Sequence, residues 1–476
     1  MQALGRRVAD VVADHLATLR DQPVITTGLP EATRQRLAAP PPEAGTSFDA
    51  LLDTLRDDVL AYAAREPHPG FMGYVPGCPT FPAVLGDWLA TGYNLFAGVW
   101  PVAEGPNALE LVVLEWFRAW IGMPAGTGGL LTNGGSGATL TALVAARHAA
   151  VGDTPERLTQ LTLYTSDQAH SAVLRAAWTA GVPRRNVRVL PTDADFRLPV
   201  AALRDAIAAD RAAGLTPWLV AASAGTTNTG AVDPLAAIAD LCAEEALWLH
   251  ADAAYGGFAA LTTRGAALLA GLGRCDSVAL DPHKWLFVPF ECGCVLARDP
   301  ARLRAAFAVD PDYLRDVATA DAPVVPFAEQ RVNFADYGPQ LTRQSRALKV
   351  WLGVRYFGVA ALRAEMDRAI DLARHAEALV RAEPALEVLS PAQLGILCFR
   401  VRPRDLDDPT ALDALNERVN AAVNAPGRVL VSSTRLRGAL ALRLCVLGYR
   451  TTAADVETLV TAVVAAAASE PSAPLT

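Results

Sequence analysis

Ser277-Val278-Ala279-Leu280-Asp281-Pro282-His283-Lys284-Trp285 is the stretch on which the fold and chemistry of this chain turn. It opens as a short, mostly apolar run of strand length. It stops at Asp-Pro, because proline lacks the N–H that a strand ladder needs. An amine follows at once, between a histidine and a tryptophan. A lysine directly after a buried strand is withdrawn from water, and burial beside another cation lowers an amine's proton affinity and makes it a nucleophile. The cation count sharpens the point: of 42 Lys and Arg residues only two are lysine, Lys284 and Lys349. Coding bias explains arginine at surface positions, but not which lysines survive. Lysine can lose its proton and form an imine; arginine in practice cannot.

Outward from this stretch the same pattern recurs. Apolar runs at 161–164, 187–190, 218–223, 248–251, 277–280 and 293–297 alternate with helical stretches at 136–150, 171–180 and 235–245. This alternation predicts an α/β architecture, a mostly parallel sheet with helices on both faces. Such sheets bind ligands beyond the carboxyl ends of their strands. Leu4, Val8, Val11, Val12, Leu16 and Leu19 predict an amphipathic N-terminal helix, and Phe48, Leu51, Leu52 and Leu55 another after Ser47. The segment 67–82, rich in proline and glycine, reads as ordered irregular structure. Residues 301–340 read as irregular and polar, with the length of an active-site lid. Helices are expected at 345–357 and 359–382. A smaller α/β unit follows, with strands at 395–401, 429–432 and 441–446, a helix at 411–424 and a last helix from Ala453.

Four other strand ends carry chemistry. Gly128-Gly129-Leu130-Leu131-Thr132-Asn133-Gly134-Gly135-Ser136-Gly137 leads into a helix. Glycines let backbone approach an anion, and a helix start offers free N–H groups and a positive dipole end. A plain strand-to-helix turn explains the run equally well by itself. It lacks Gly-Lys-Ser/Thr, which excludes a P-loop. In Trp248-Leu249-His250-Ala251-Asp252-Ala253-Ala254-Tyr255-Gly256-Gly257 a carboxylate closes a buried strand, where a charge needs a partner; a helix cap or salt bridge serves, and so does a protonated ring nitrogen. His170 closes a third strand with a ring able to stack on a planar group. Gly225-Thr226-Thr227-Asn228-Thr229-Gly230 closes a fourth with hydroxyl donors. Anion cradle, ring, hydroxyls, carboxylate and amine together suit a phosphorylated aldehyde with a basic ring nitrogen.

Composition narrows the alternatives. The chain has 476 residues, 52% of them hydrophobic and 19% charged, with a net charge of −8. No basic face is implied, which argues against a nucleic-acid partner or an anionic membrane. No apolar run approaches the ~18 residues of a membrane span. Seven scattered cysteines without a CxxC pair read as reduced core thiols, hence a cytoplasmic location and no metal site.

These motifs resemble the group II pyridoxal-5′-phosphate-dependent amino acid decarboxylases, the aromatic-L-amino-acid decarboxylase-like family. The likeness runs from Pro42–Phe48 and His68-Pro69-Gly70-Phe71-Met72-Gly73-Tyr74, through the stretches above, to Arg346-Ala347-Leu348-Lys349-Val350-Trp351 and Arg443-Leu444. His-x-Asp-Ala-Ala-Tyr with Pro-His-Lys-Trp is its most specific part. The resemblance implies fold type I, as in aspartate aminotransferase, with an N-terminal helical dimerisation segment (1–67), a large cofactor-binding domain (68–350) and a small C-terminal domain (351–476). It implies a homodimer with the active site at the interface and a small-molecule amino acid as substrate. It also implies roles. Lys284 forms the internal aldimine, Asp252 bonds the ring nitrogen, and His170 and Ala254 cover the two ring faces. Gly135, Ser136 and His283 hold the phosphate region, and Thr227 lies near the ring substituents. Decarboxylation through a quinonoid then gives an amine and carbon dioxide. Val75, Pro76, Phe96 and Trp100 fall at or near the family's substrate pocket, and their apolar character favours an aromatic amino acid, with a branched aliphatic one still open. One departure stands out. Counted back from Trp351, the catalytic loop tyrosine of the family falls on Phe334. In some plant members a phenylalanine there accompanies an oxidative outcome that gives an aldehyde. Tyr337, three residues on, offers a hydroxyl instead.

Overall fold

The computed structural model describes residues 1–152, 154–309 and 331–469. The chain divides into two compact units. One comprises Met1–Pro76, Leu372–Pro391 and Leu397–Thr476; the other, Gly77–Asp371 and Ala392–Ile396, holds the larger sheet.

Seven strands build that sheet: β1 (Gly128–Thr132), β2 (Leu161–Ser166), β3 (Val187–Leu190), β4 (Thr216–Ser223), β5 (Trp248–Asp252), β6 (Ser277–Leu280) and β7 (Gly293–Ala297). Their order is β1-β7-β6-β5-β4-β2-β3. The strands β3, β2, β4, β5 and β6 pair in parallel. Only β7 runs the other way, antiparallel to both β6 and β1. The carboxyl ends of β1, β2, β4, β5 and β6 therefore meet at one edge. The interior strands read as near-continuous apolar runs because both sheet faces are covered. On one side Leu143, Val173, Leu163, Leu219 and Ala221 are fully buried between strands and the helices Gly135–Val151 and Ser171–Thr179. Each such buried aliphatic side chain contributes about 1.5–3 kcal/mol.

A second, four-stranded sheet contains β8 (Leu386–Gln393), β9 (Ile396–Val401), β10 (Ser432–Leu436) and β11 (Ala439–Cys445), in the order β10-β11-β9-β8. Two features differ from the sequence expectation. A strand at 386–393 was not anticipated; β8 is the edge strand, where the missing N–H of Pro391 is tolerated. The strand expected at 429–432 starts at Ser432 instead. The Asn424 side chain bonds both the N–H and the carbonyl of Val431, taking up the groups a ladder would use.

The N-terminal helix forms over Gln2–Ala17, and the next amphipathic helix over Phe48–Thr54, where the Ser47 hydroxyl accepts from Ala50 N–H. Helices Phe81–Gly92 and Glu104–Trp120 were not anticipated. Within 301–340 a helix spans Ala301–Phe307 and a 3-10 turn Phe334–Tyr337, so those parts are not irregular. The rest of the expected lid, 310–330, lies outside the described residues. The long helix Ala347–Ala382 breaks at Gly358, φ 77°, between the two helices read from sequence. All seven cysteines are buried. Among the described residues no helix is long and apolar enough to cross a membrane.

Candidate active site

The five aligned strand ends enclose one cavity, and it is lined by Gly135, Ser136, His170, Thr227, Asp252, Ala254, His283 and Lys284. Each arrives by a simple local device. Lys284 sits in a single helical turn, Pro282–Trp285, that starts immediately after β6 with proline at its first position, where no N–H is needed. Asp252 is the last residue of β5. Its carboxylate accepts the Ala254 N–H at 3.2 Å. His170 caps the helix Ser171–Thr179, with Nδ1 accepting from Ala172 N–H at 3.2 Å. That bond leaves Nε2 as the ring's remaining polar atom.

Gly134 (φ 117°) and Gly135 make the turn from β1 into the helix Gly135–Val151. A Cβ at Gly135 would lie 2.8 Å from Ala254 Cβ and 3.1 Å from Asp281 Oδ2. The ends of β1, β5 and β6 are thus in contact, and the first turn of the helix keeps N–H groups with no acceptor inside the helix.

Asp281, quoted in the sequence but given no role there, proves to be part of the site. Its Oδ2 lies 2.9 Å from Lys284 Nζ and 3.6 Å from His283 Nε2. Its Oδ1 is buried without a partner. His283 Nδ1 lies 2.7 Å from the Cys292 carbonyl and 3.3 Å from the Cys292 N–H. Asn133, Thr226 and Tyr255 also line the cavity. Asn133, Thr226, Tyr255 and Asp281 each stand beside an assigned residue in sequence, which is the signal that finds them.

The electrostatics follow from burial. Desolvation pushes the Asp252 carboxyl up, opposed by the positive charge of Lys284 and by the Ala254 N–H. His283 is pushed down, chiefly by burial and further by the nearby Lys284 and Lys349, while Asp281 opposes. Such a cavity suits pyridoxal 5′-phosphate. A buried carboxylate that accepts one N–H still needs a cationic donor, which a protonated ring nitrogen supplies. The glycine turn offers its N–H groups to a phosphate, and Lys284 is a primary amine inside the same cavity.

Other expected positions lie elsewhere. Phe334 is wholly buried, with the Arg343 guanidinium 5.0 Å from its ring centroid, and does not line the cavity. Tyr337 closes the same 3-10 turn and is also absent from the lining. Phe96 and Trp100 belong to the same unit but not to the lining: Phe96 forms a backbone bridge with Gln344, and the Trp100 N–H donates to Asn333 Oδ1 at 2.8 Å. Val75 and Pro76 belong to the other unit.

The model of the pyridoxal-dependent decarboxylase conserved domain matches residues 30–402. The chain is 38% identical to an aromatic-L-amino-acid decarboxylase of Bacillus atrophaeus over 95% of this chain and 92% of that one. It is 30% identical to a phenylacetaldehyde synthase of Arabidopsis thaliana, over 94% and 91%. A crystal structure of Oryza sativa TDC with PLP and tryptamine superposes with a TM-score of 0.92 at 29% identity, covering 98% of this chain and 97% of that one. With these likenesses and the amine, carboxylate and glycine turn at one sheet edge, the chain belongs to the pyridoxal-dependent decarboxylases, with their type I fold.

Proposed function

We propose that this enzyme decarboxylates an L-amino acid with an aromatic side chain, releasing the amine and carbon dioxide. The observation that carries the proposal is the meeting of Lys284, Asp252 and the Gly134–Ser136 turn in one cavity. The aromatic side chain is supported by the named activities of the relatives.

Bound there, pyridoxal 5′-phosphate supplies a sink for the electron pair freed when the Cα–carboxylate bond breaks. The residues have separable tasks. Lys284 would hold the cofactor aldehyde through its amine and give way to the amine of the substrate. Asp252 would pair with a protonated ring nitrogen, which keeps the group electron-poor. His170 and Ala254 would cover the ring, Gly135, Ser136 and His283 would hold the phosphate, and Thr227 would face the ring substituents. Asp281 keeps the freed Lys284 amine in place, 2.9 Å from its own carboxylate.

An oxidative outcome yielding an aldehyde rested on Phe334 standing at the reacting carbon. Its complete burial beneath Arg343 removes that support. We place the working enzyme in the cytoplasm as a homodimer, with residues 1–67 as its dimerisation segment, 68–350 as the cofactor domain and 351–476 as the small domain. Val75, Pro76, Phe96 and Trp100 are candidate substrate contacts only in that assembly.

The test is spectroscopic and chemical. Purified enzyme with cofactor shows the imine absorption band, and Lys284→Ala loses it together with turnover. Retention of the band in that variant overturns the assignment. A panel of aromatic and aliphatic amino acids, read together for carbon dioxide, amine and peroxide, is expected to give equimolar carbon dioxide and amine from an aromatic substrate, without peroxide.

A further inference from the structure

Lys349 is the chain's other lysine, and the assigned chemistry does not use it. Arginine fills 40 of the 42 Lys and Arg positions, so lysine here calls for a physical reason. Lys349 is 1% exposed. Its Nζ lies 2.9 Å from Asp87 Oδ1, 3.3 Å from the Pro289 carbonyl and 3.5 Å from the Phe290 carbonyl. Three oxygens from two separate segments thus converge on one ammonium.

The helix Phe81–Gly92 approaches the helix that starts at Ala347 very closely. A Cβ at Gly86 would stand 2.8 Å from Lys349 Cα. A compact ammonium on an unbranched stem suits such a crossing. A guanidinium is broader, is planar, and brings five N–H donors that all need acceptors. Arg346, the residue just before the helix that starts at Ala347, reaches Glu291 at 3.0 Å. Arg346 and Lys349 together therefore hold residues 289–291.

That turn adjoins His283, one of the residues lining the cavity. The Phe290 ring packs against the His283 ring with centroids 4.9 Å apart. The next residue but one, Cys292, holds His283 through its carbonyl and N–H. His283 in turn lines the cavity. We infer that Lys349 is a positioning residue for cofactor binding: its ammonium, paired with Asp87, fixes the 289–292 turn and so the place of the His283 ring. The inference rests on the proposed cofactor site, and a structural prop without that link would not alter cofactor affinity in a folded protein.

The experiment measures the cofactor dissociation constant by titration and its pH dependence, in full-length wild type, Lys349→Met, Lys349→Arg and Asp87→Asn/Lys349→Met. Lys349→Met is expected to weaken cofactor binding at least tenfold while far-ultraviolet circular dichroism stays unchanged. Lys349→Arg is expected to restore less than half of that loss in logarithmic terms, because a broad planar guanidinium does not match the ammonium's place among Asp87 Oδ1 and the Pro289 and Phe290 carbonyls. The groups facing His283 are Asp281, Lys284, Lys349 and the Cys292 carbonyl. Removing the Lys349 charge therefore moves the histidine-dependent midpoint upward. Asp87→Asn/Lys349→Met removes both charges, leaves no ion unpaired, and is expected to bind cofactor as weakly as the single variant. A folded Lys349→Met protein with an affinity within twofold of wild type and an unmoved midpoint overturns the inference. So does failure of both Met variants to fold, since the pair would then hold the fold and not the ring. If wild type itself takes up no cofactor, the proposed function fails instead.

Discussion

At the scale of single residues, the site works because each group is held by one short local contact. Lys284 has a buried counter-charge at 2.9 Å, so its amine stays at the cavity whether or not it is bonded to cofactor. Asp252 is destabilised by burial and so favours a cationic partner. Gly135 is closely packed against two other strand ends. Its missing side chain lets the turn touch Ala254 and Asp281. Gly135→Ala is expected to force those neighbours apart, at a cost of about 1–3 kcal/mol in stability for overpacking, and to weaken cofactor binding more than tenfold. Urea unfolding and cofactor titration check both. An alanine variant with wild-type affinity would show that the turn does not hold the phosphate.

At the scale of elements, a buried ion pair fixes the approach of several segments to β1. Arg343 and Glu110 have fully buried side chains, 2.7 Å apart. Arg343 also donates to the carbonyls of Ala97 and Leu131, and Glu110 accepts the Leu131 N–H. The helix Glu104–Trp120, the 96–98 segment and the strand that ends in the glycine turn are thereby tied at one point. Removing one member of a buried pair leaves an uncompensated charge, which typically costs about 3–5 kcal/mol. Arg343→Met is therefore expected to lower unfolding free energy by about that much. Adding Glu110→Leu should recover part of it, because the orphaned charge is gone. Urea denaturation of the two single variants and the double measures the coupling. Strict additivity would mean that the pair does not act as a unit.

At the scale of the whole molecule, pH acts through groups buried without charge. His250 in β5 lies between Ser277 and Thr139, 2.9 Å and 3.4 Å from their hydroxyls, and burial pushes it down to about 3. The unfolded chain therefore binds this proton first as pH falls from about 6.5 toward 3, and the stability due to neutral His250 drains away over that window. Asp233 acts in the opposite sense. Burial pushes it up to about 6 despite bonds from the Ser223 and Leu198 N–H groups. Folding thus favours its protonated form, and stability falls as pH rises from about 4 to 6. Comparing wild type with His250→Gln separates the two. The stability advantage of wild type is expected to shrink between about pH 7.5 and about pH 5, because glutamine carries no titrating group. A constant difference across that range would show that His250 does not stay neutral in the fold.

Strand ends were legible because burial on both faces leaves apolar runs, and chemistry at their termini interrupts them. Lys284, Asp252, His170 and the glycine turn were all found that way. β8 was not, since a proline in an edge strand looks from sequence like a break, and β10 was displaced by an asparagine whose side chain replaces a ladder bond. Counting along the chain located Phe334 but said nothing about which way its ring faces. Its burial under Arg343 depends on residues distant in sequence. The amino-acid sequence by itself determined the periodicity of the sheet and the residue types at its edge, because these are local properties of neighbouring side chains. Only the tertiary structure brought Asp281 against Lys284 and Asp87 against Lys349, and kept Phe334 from the cavity, because charge pairing and burial arise when segments far apart in sequence meet.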